Sequence, residues 1–99
     1  MIQLVWEFVA RETKIPEFER HYSPGGTWEQ LFRRSAGFLG TKLLRDTQRR
    51  NRYLTVDSWD SLDAHRAMRE QFALEHEELD RRCEEFMERE THLGAFEVE

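Results

Sequence analysis

The sequence contains one cysteine, two prolines and five glycines in 99 residues, and each scarcity excludes a class of protein. A lone cysteine, Cys83, cannot form an internal disulfide, so the chain is no disulfide-stapled secreted domain. So few prolines and glycines exclude fibrous and low-complexity chains. The longest apolar stretch near the start, Ile2 to Ala10, is interrupted by Gln3 and Glu7 and is far shorter than the ~20 residues of a membrane span. We therefore expect a cytoplasmic protein with no membrane segment.

The charged residues argue against metal and nucleic acid as partners. The four histidines, His21, His65, His76 and His92, show no metal-ligand spacing such as H-x-x-x-H, which predicts no metal. The formal net charge is −5, and the segment from Leu74 to Glu99 holds ten acidic and three basic residues. An acidic terminal segment repels phosphate backbones, so we expect no nucleic acid partner.

The chain nevertheless has the composition of a folded protein, with 38% hydrophobic residues and 12% aromatic residues. Its length suits a single domain over residues 1–99. A monomer of this size buries only roughly 60 to 65% of its unfolded surface, so its core is thin. This favours an oligomer.

Hydrophobic periodicity predicts four strands and two helical regions. Strands are expected near residues 2–10, 37–46, 52–59 and 92–98 because apolar residues alternate there or lie between turn signals. A first helix begins near Pro16, breaks at residues 23–26 and restarts at Thr27 with a capping-box pattern. A second helical stretch, capped by Asp60 or Ser61, is expected over Asp60–Glu90 with a bend near Phe72. The order βαββαβ is a ferredoxin-like α+β fold, an antiparallel sheet with helices on one face.

Two groups of proteins with this topology fit the sequence poorly. An RNA-recognition domain needs alternating aromatic residues on its third strand, but here Tyr53 is followed on the same face by Thr55 and Asp57. A metal-chaperone or redox domain needs paired cysteines, and the chain has one. The strands are apolar on both sides, so we expect the uncovered sheet face to form a homodimer.

Three segments resemble the antibiotic biosynthesis monooxygenase (ABM) family of the dimeric α+β barrel superfamily. They read Tyr22-x-Pro24-x-Gly26-x-Trp28-x-x-Leu31-Phe32, Gly37-Phe38-Leu39-Gly40-Thr41-x-Leu43-Leu44 and Tyr53-Leu54-Thr55-Val56-Asp57-x-Trp59-x-Ser61. The resemblance implies two sheets packed face to face across a two-fold axis, with a cleft between helices and sheet for a small aromatic or polycyclic ligand. Some members oxidise phenols with dioxygen without metal or flavin, so no cofactor is expected.

This resemblance leads to candidate site residues. His76 is the expected catalytic base because imidazole can take up a proton near neutrality, and Tyr22 and Tyr53 are the other expected catalytic side chains. The expected substrate-binding residues are Trp28, Phe72, Met68 and Arg66, and Arg69 is considered beside Arg66. Each of these also has an ordinary structural interpretation, as packing or as solvated surface charge. Trp59 and Cys83 are interpreted as core residues.

Three other activities remain open for the same cleft. The protein could bind an aromatic metabolite without reaction, or it could be an isomerase or cyclase that uses the same base without oxygen. Heme-degrading members of the superfamily use an asparagine, a tryptophan and a histidine. Here Phe8 and Met68 stand near the first two positions, and only His76 matches.

Overall fold

The structure is a computed structural model that describes all 99 residues. Its elements are β1 (Ile2–Ala10), α1 (Ile15–Tyr22), α2 (Thr27–Phe32), β2 (Phe38–Arg45), β3 (Arg52–Trp59), α3 (Leu62–Gln71), α4 (Ala73–Cys83) and β4 (Met87–Glu97). The four strands form one antiparallel sheet in the order β2-β3-β1-β4. This confirms the ferredoxin-like α+β fold and the hairpin of β2 and β3. None of the helices has the length and apolar character that crossing a bilayer requires.

The helices cover one side of the sheet, which we call the inner face. Strand residues alternate between the two faces, so every second residue of β1 and β3 points towards the helices. These are Ile2, Leu4, Trp6, Phe8, Ala10, Tyr53, Thr55, Asp57 and Trp59. On α1, Phe18 stacks on Tyr22 and lies 4.6 Å from the ring of Tyr53. The opposite side, with Val5, Leu54 and Val56, is the outer face.

Local residue chemistry sets the helix boundaries. Ser61 caps α3, since its hydroxyl accepts the Ala64 N–H at 3.1 Å, and Phe72 leaves helical geometry between α3 and α4 as the predicted bend requires. The corner between α1 and α2 depends on Gly26. A Cβ there would lie 2.6 Å from the Arg20 carbonyl oxygen, so only glycine fits this close approach.

Two sequence predictions are wrong. The second helical stretch ends at Cys83 rather than Glu90, and a short 3₁₀ turn, Glu84–Phe86, leads into β4. Pairing of β4 with β1 overrides the helical pattern, with Met87 opposite Ala10. Most of β4 is exposed on both sides, so it lacks the alternation that reveals a strand.

The capping box at Thr27 is the second wrong prediction. The residue at the cap is Gly26, which has no side chain to accept a hydrogen bond. The Thr27 hydroxyl instead contacts His21 Nδ1 at 2.8 Å. The Glu29 carboxylate instead accepts hydrogen bonds from the backbone N–H groups of Gly25 and Thr41.

Candidate functional site

A cavity of about 290 Å³ lies between the inner face and helices α1 to α4. Its volume is at the lower end of the roughly 300–1,000 Å³ of small-molecule sites, so it suits a small ligand of a few rings. Its lining is Leu4, Trp6, Phe8, Tyr22, Trp28, Phe32, Thr41, Thr55, Asp57, His65, Arg69, His76, Asp80, Glu90 and His92. Aromatic rings, three imidazoles and a few carboxylates thus share one space.

Aromatic and imidazole rings pair along the walls of the cavity. Trp28 on α2 and His76 on α4 meet edge to face with ring centroids 4.9 Å apart. Across the sheet, Trp6 on β1 and His92 on β4 lie 4.7 Å apart. Planar apolar walls with polar edges are suited to holding an aromatic molecule between them.

The strand register arranges the floor of the cavity in rows. Thr55 lies opposite Trp6, which in turn lies opposite His92. In the next row, Asp57 lies between Leu4 of β1 and Thr41 of β2. The sheet therefore places two hydroxyls and a carboxylate on the floor, and their backbones are fixed by ladder hydrogen bonds.

A hydrogen-bonded chain holds the Asp57 carboxylate in place. The Thr41 hydroxyl donates to Asp57 Oδ1 at 2.7 Å, and the Thr41 backbone N–H donates to Glu29 Oε2 at 3.1 Å. The other oxygen of Glu29 accepts the Gly25 N–H at 2.7 Å. Desolvation raises the pKa of Asp57 to about 6, with the Thr41 hydrogen bond opposing this and the Glu29 charge adding to it. Near neutral pH this carboxylate can therefore exchange a proton.

The two half-buried imidazoles of the cavity are neutral near pH 7. Burial lowers the pKa of His65 to about 4, and the positive charge of Arg69 acts in the same direction. Burial and Arg69 also lower the pKa of His76. Tyr22 keeps its proton, because burial raises the pKa of its hydroxyl far above the ordinary value. A neutral imidazole can accept a proton from a ligand, which Tyr22 cannot do by ionising.

The structure brings together three of the sequence-predicted site residues: His76, Tyr22 and Trp28 all line the cavity. It places Arg69 there rather than Arg66, whose guanidinium pairs with the exposed Asp63 at 3.0 Å.

Three further predicted residues lie outside the cavity lining. Tyr53 lies among the α1 aromatics, and its hydroxyl donates to Glu19 at 2.5 Å. Met68 is fully buried in the core. The guanidinium carbon of Arg34 lies over the ring of Phe72, 4.4 Å from the ring centre. For a heme-degrading site, Phe8 and His76 line the cavity and Met68 does not.

Sequence reasoning missed the groups on the cavity floor. Asp57 had a signal, because alternation along β3 places it on the same face as Tyr53. Thr41 and His92 gave none, since their positions depend on strand register across the sheet. His65 follows the Ser61 cap by four residues, on the side of α3 where its ring meets Trp59 at 5.4 Å.

Comparison with known families identifies the chain. The profile of the antibiotic biosynthesis monooxygenase family matches residues 1–76. The chain belongs to this family. Among curated proteins none matches the sequence.

Solved structures of this family's fold superpose over nearly the whole chain. SnoaB, a cofactor-independent oxygenase from Streptomyces nogalater, shares 23% identity with a TM-score of 0.76 over 99% of this chain and 92% of its own. A conserved protein from Methanosarcina mazei shares 13% identity with a TM-score of 0.74 over 99% and 92% of the two chains. A NIPSNAP domain protein from Burkholderia xenovorans shares 17% identity with a TM-score of 0.71 over 100% and 95%. At these identities the likeness establishes the fold.

Proposed function

We propose that this protein is a cofactor-independent monooxygenase that oxidises a small phenolic aromatic compound in the cavity between the helices and the sheet. The observation that carries the proposal is the union, in one cavity, of aromatic walls with neutral imidazoles able to accept a phenolic proton. Membership of the monooxygenase family and the likeness to the cofactor-independent oxygenase SnoaB support it.

The chemistry begins with removal of a phenolic proton. His76 accepts this proton, since it is half-buried, neutral and lies against Trp28 in the cavity wall. The resulting anion is electron-rich and reacts with dioxygen, which is the second substrate. One oxygen atom enters the ring carbon, which loses its hydrogen, and the other leaves as water together with the phenolic hydrogen. The phenol thereby becomes a quinone, and the walls keep the anion away from bulk water.

The outer face supports a homodimer as the working form. Leu44 and Phe96 expose about half of their surface there, beside the partly buried Val5 and Val56. A sheet face that exposes apolar residues and has no helix over it is stabilised by a partner, and a second copy of the same chain meets it with a matching surface.

Oxygen uptake tests the activity directly. Purified protein is mixed with a panel of anthrones, quinols and phenols, and dioxygen consumption, hydrogen peroxide and product mass are recorded. A monooxygenase consumes one dioxygen per substrate, releases no peroxide and yields a quinone that has one oxygen atom in place of two hydrogen atoms of the substrate. The same assays are run on His76→Ala, and its matched control is His21→Gln, because His21 stacks on Phe86 and is not part of the cavity lining.

Three other outcomes identify the alternatives. Binding without oxygen uptake indicates a carrier of an aromatic metabolite. A product of unchanged mass indicates an isomerase or cyclase. Oxygen uptake with stoichiometric peroxide indicates an oxidase. Each of these results contradicts the monooxygenase proposal.

A further inference from the structure

The Asp57 carboxylate has one oxygen that no group of the protein occupies. Oδ1 accepts the Thr41 hydroxyl at 2.7 Å, and no other side chain or backbone N–H donates to this carboxylate. Asp57 is only partly buried, and the surface it keeps is part of the cavity lining. A partly buried carboxylate oxygen that has no donor is stabilised when a bound ligand donates a hydrogen bond to it. Oδ2 is therefore an acceptor without a donor on a residue of the cavity lining.

The surroundings hold this carboxylate in one orientation. Thr41 is fixed through its backbone N–H by Glu29, a buried residue of α2 that also accepts the Gly25 N–H. The Thr41 hydroxyl then holds Oδ1, so the orientation of the carboxylate is restrained by a hydrogen-bonded chain that begins at Glu29 on α2. A pre-oriented acceptor loses little entropy when a ligand binds.

The charges of the cavity lining restrict which ligand can use this acceptor. Asp57, Asp80 and Glu90 supply three carboxylates against one cation, Arg69. Glu90 and Arg69 are exposed and stand where water screens them, whereas Asp57 lies deeper on the sheet. A ligand carboxylate would meet repulsion at the depth of Asp57, whereas a ligand O–H or N–H would find a charged acceptor.

We propose that Asp57 anchors the ligand by accepting a hydrogen bond from a ring hydroxyl or ring N–H, so that the cavity selects uncharged aromatic donors over aromatic carboxylates. The proposal rests on the proposed function in one respect, namely that an aromatic molecule binds in this cavity. It adds a binding group on the sheet floor for a donor of the substrate other than the hydroxyl that gives its proton to His76 on α4.

Calorimetric binding to three probes of one ring system tests this selection without any turnover. The probes are 1-naphthol, which has a donor, 1-methoxynaphthalene, which has none, and 1-naphthoate, which is a carboxylate. The titrations are anaerobic and run at about pH 7. Asp57 is mostly ionised there, because even its raised pKa of about 6 lies below this pH. We expect 1-naphthol to bind roughly tenfold or more tightly than 1-methoxynaphthalene, and 1-naphthoate to bind most weakly.

The isosteric variant Asp57→Asn removes the charge and keeps the shape. We expect it to weaken 1-naphthol roughly tenfold, to leave 1-methoxynaphthalene within about twofold and to strengthen 1-naphthoate. The control Asp63→Asn makes the same chemical change on the exposed surface of α3, and its three affinities should match those of the wild type.

Variants of Thr41 test the positioning chain. Thr41→Val removes the hydroxyl that orients the carboxylate, whereas Thr41→Ser keeps it. We expect the valine variant to lose part of the preference for 1-naphthol and the serine variant to retain it. If Asp57→Asn fails to fold, this pair still decides the matter.

Two results would overturn the proposal, and they differ from a failure of the proposed function. Equal weakening of 1-naphthol and 1-methoxynaphthalene in Asp57→Asn would show that Asp57 only supports packing. Unchanged 1-naphthol binding in Asp57→Asn would show that Asp57 does not contact the ligand. If wild-type protein binds none of the probes, the aromatic cavity of the proposed function is itself contradicted, and the role of Asp57 fails with it.

Discussion

The two faces of the sheet differ in what covers them. The inner face is covered by the chain's own helices and encloses both the core and the cavity. The outer face has no helix over it and carries valines, leucines and a charged cluster in which Arg52 bridges Glu7 at 2.7 Å and Asp46 at 3.1 Å. Both faces are built from the same strands, so successive residues of β1 point alternately to the helices and to the outer face. We propose that the inner face binds the ligand and that the outer face pairs with a second copy of the chain.

A charge on the outer face is expected to have the largest effect. Val5 lies on the outer face between Val56 and Gly94, so Val5→Asp places an unpaired carboxylate in the expected interface. We expect the dimer dissociation constant to rise at least about a thousandfold, or about 4 kcal/mol, and the 12.0 kDa monomer to appear in sedimentation. Leu74→Asp on the exposed side of α4 is the control and should leave the dimer intact. A wild type that sediments as a monomer at micromolar concentration contradicts the pairing of outer faces.

A substitution in the cavity above the inner face should change the rate and not the association. His76→Ala is expected to lower turnover of a phenolic substrate about a hundredfold while the dimer persists, because the cavity loses its proton acceptor. Rate and thermal midpoint are measured on the same preparations, with His21→Gln as the control. A variant that is destabilised by roughly 1 to 3 kcal/mol but fully active per folded molecule would show that His76 serves packing.

The pH dependence of stability should depend on Asp57 of the inner face. Its folded pKa of about 6 lies above the ordinary value of 3.8, so the folded state binds this proton more tightly than the unfolded chain. The resulting stabilisation is present below about pH 4 and is lost as the pH rises through about 6. As the pH rises from about 4 to about 7, the free energy of unfolding of Asp57→Asn should therefore increase by about 2 to 3 kcal/mol relative to that of the wild type. Urea unfolding across this range measures the difference.

A control isolates Asp57 from the other groups that titrate in the same range. His65 and His76 contribute to the pH dependence of stability with the opposite sign. Their pKa values are lowered in the folded state, so stability falls as the pH falls through about 6.5. These contributions cancel in the difference between wild type and variant. The exposed-surface variant Asp63→Asn should run parallel to the wild type, and a parallel curve for Asp57→Asn as well would refute the raised pKa of Asp57.

The smallest expected effect separates the cavity from the aromatic core beside it. Tyr53 is on the inner face but outside the cavity lining, and its hydroxyl donates to Glu19. We expect Tyr53→Phe to cost about 1 kcal/mol of stability and to leave turnover within about twofold. A large fall in turnover at unchanged stability would instead make Tyr53 a catalytic residue.

Local pattern was sufficient to predict most of the fold. Three of the four strands and the bend at Phe72 follow from alternation, stripe and breaker residues, which act over a few neighbours. The start of β4 at Met87 did not follow, because its residues are exposed on both sides and only pairing with β1 makes them a strand. Where a segment has no buried side to alternate with, the sequence carries no strand signal.

The candidate site was less accessible from sequence. His76 and Trp28 were found because they lie on stripes that face the core, but Met68 and Phe72 share such a stripe and are core residues outside the cavity. A stripe shows which side of a helix is buried and leaves open whether that side meets side chains or empty space. The hydrogen bond of Thr41 to Asp57 depends on the register between β2 and β3, which sequence alone does not fix.

The crystal structure of the protein with bound 1-naphthol tests the division between the two faces most directly. We expect the naphthalene ring to lie in the cavity beside Trp28 and His76, with its hydroxyl within hydrogen-bond distance of Asp57. We also expect the outer face to pair with that of a second copy. A naphthol molecule bound on the outer face, with the cavity between helices and sheet unoccupied, would contradict the account.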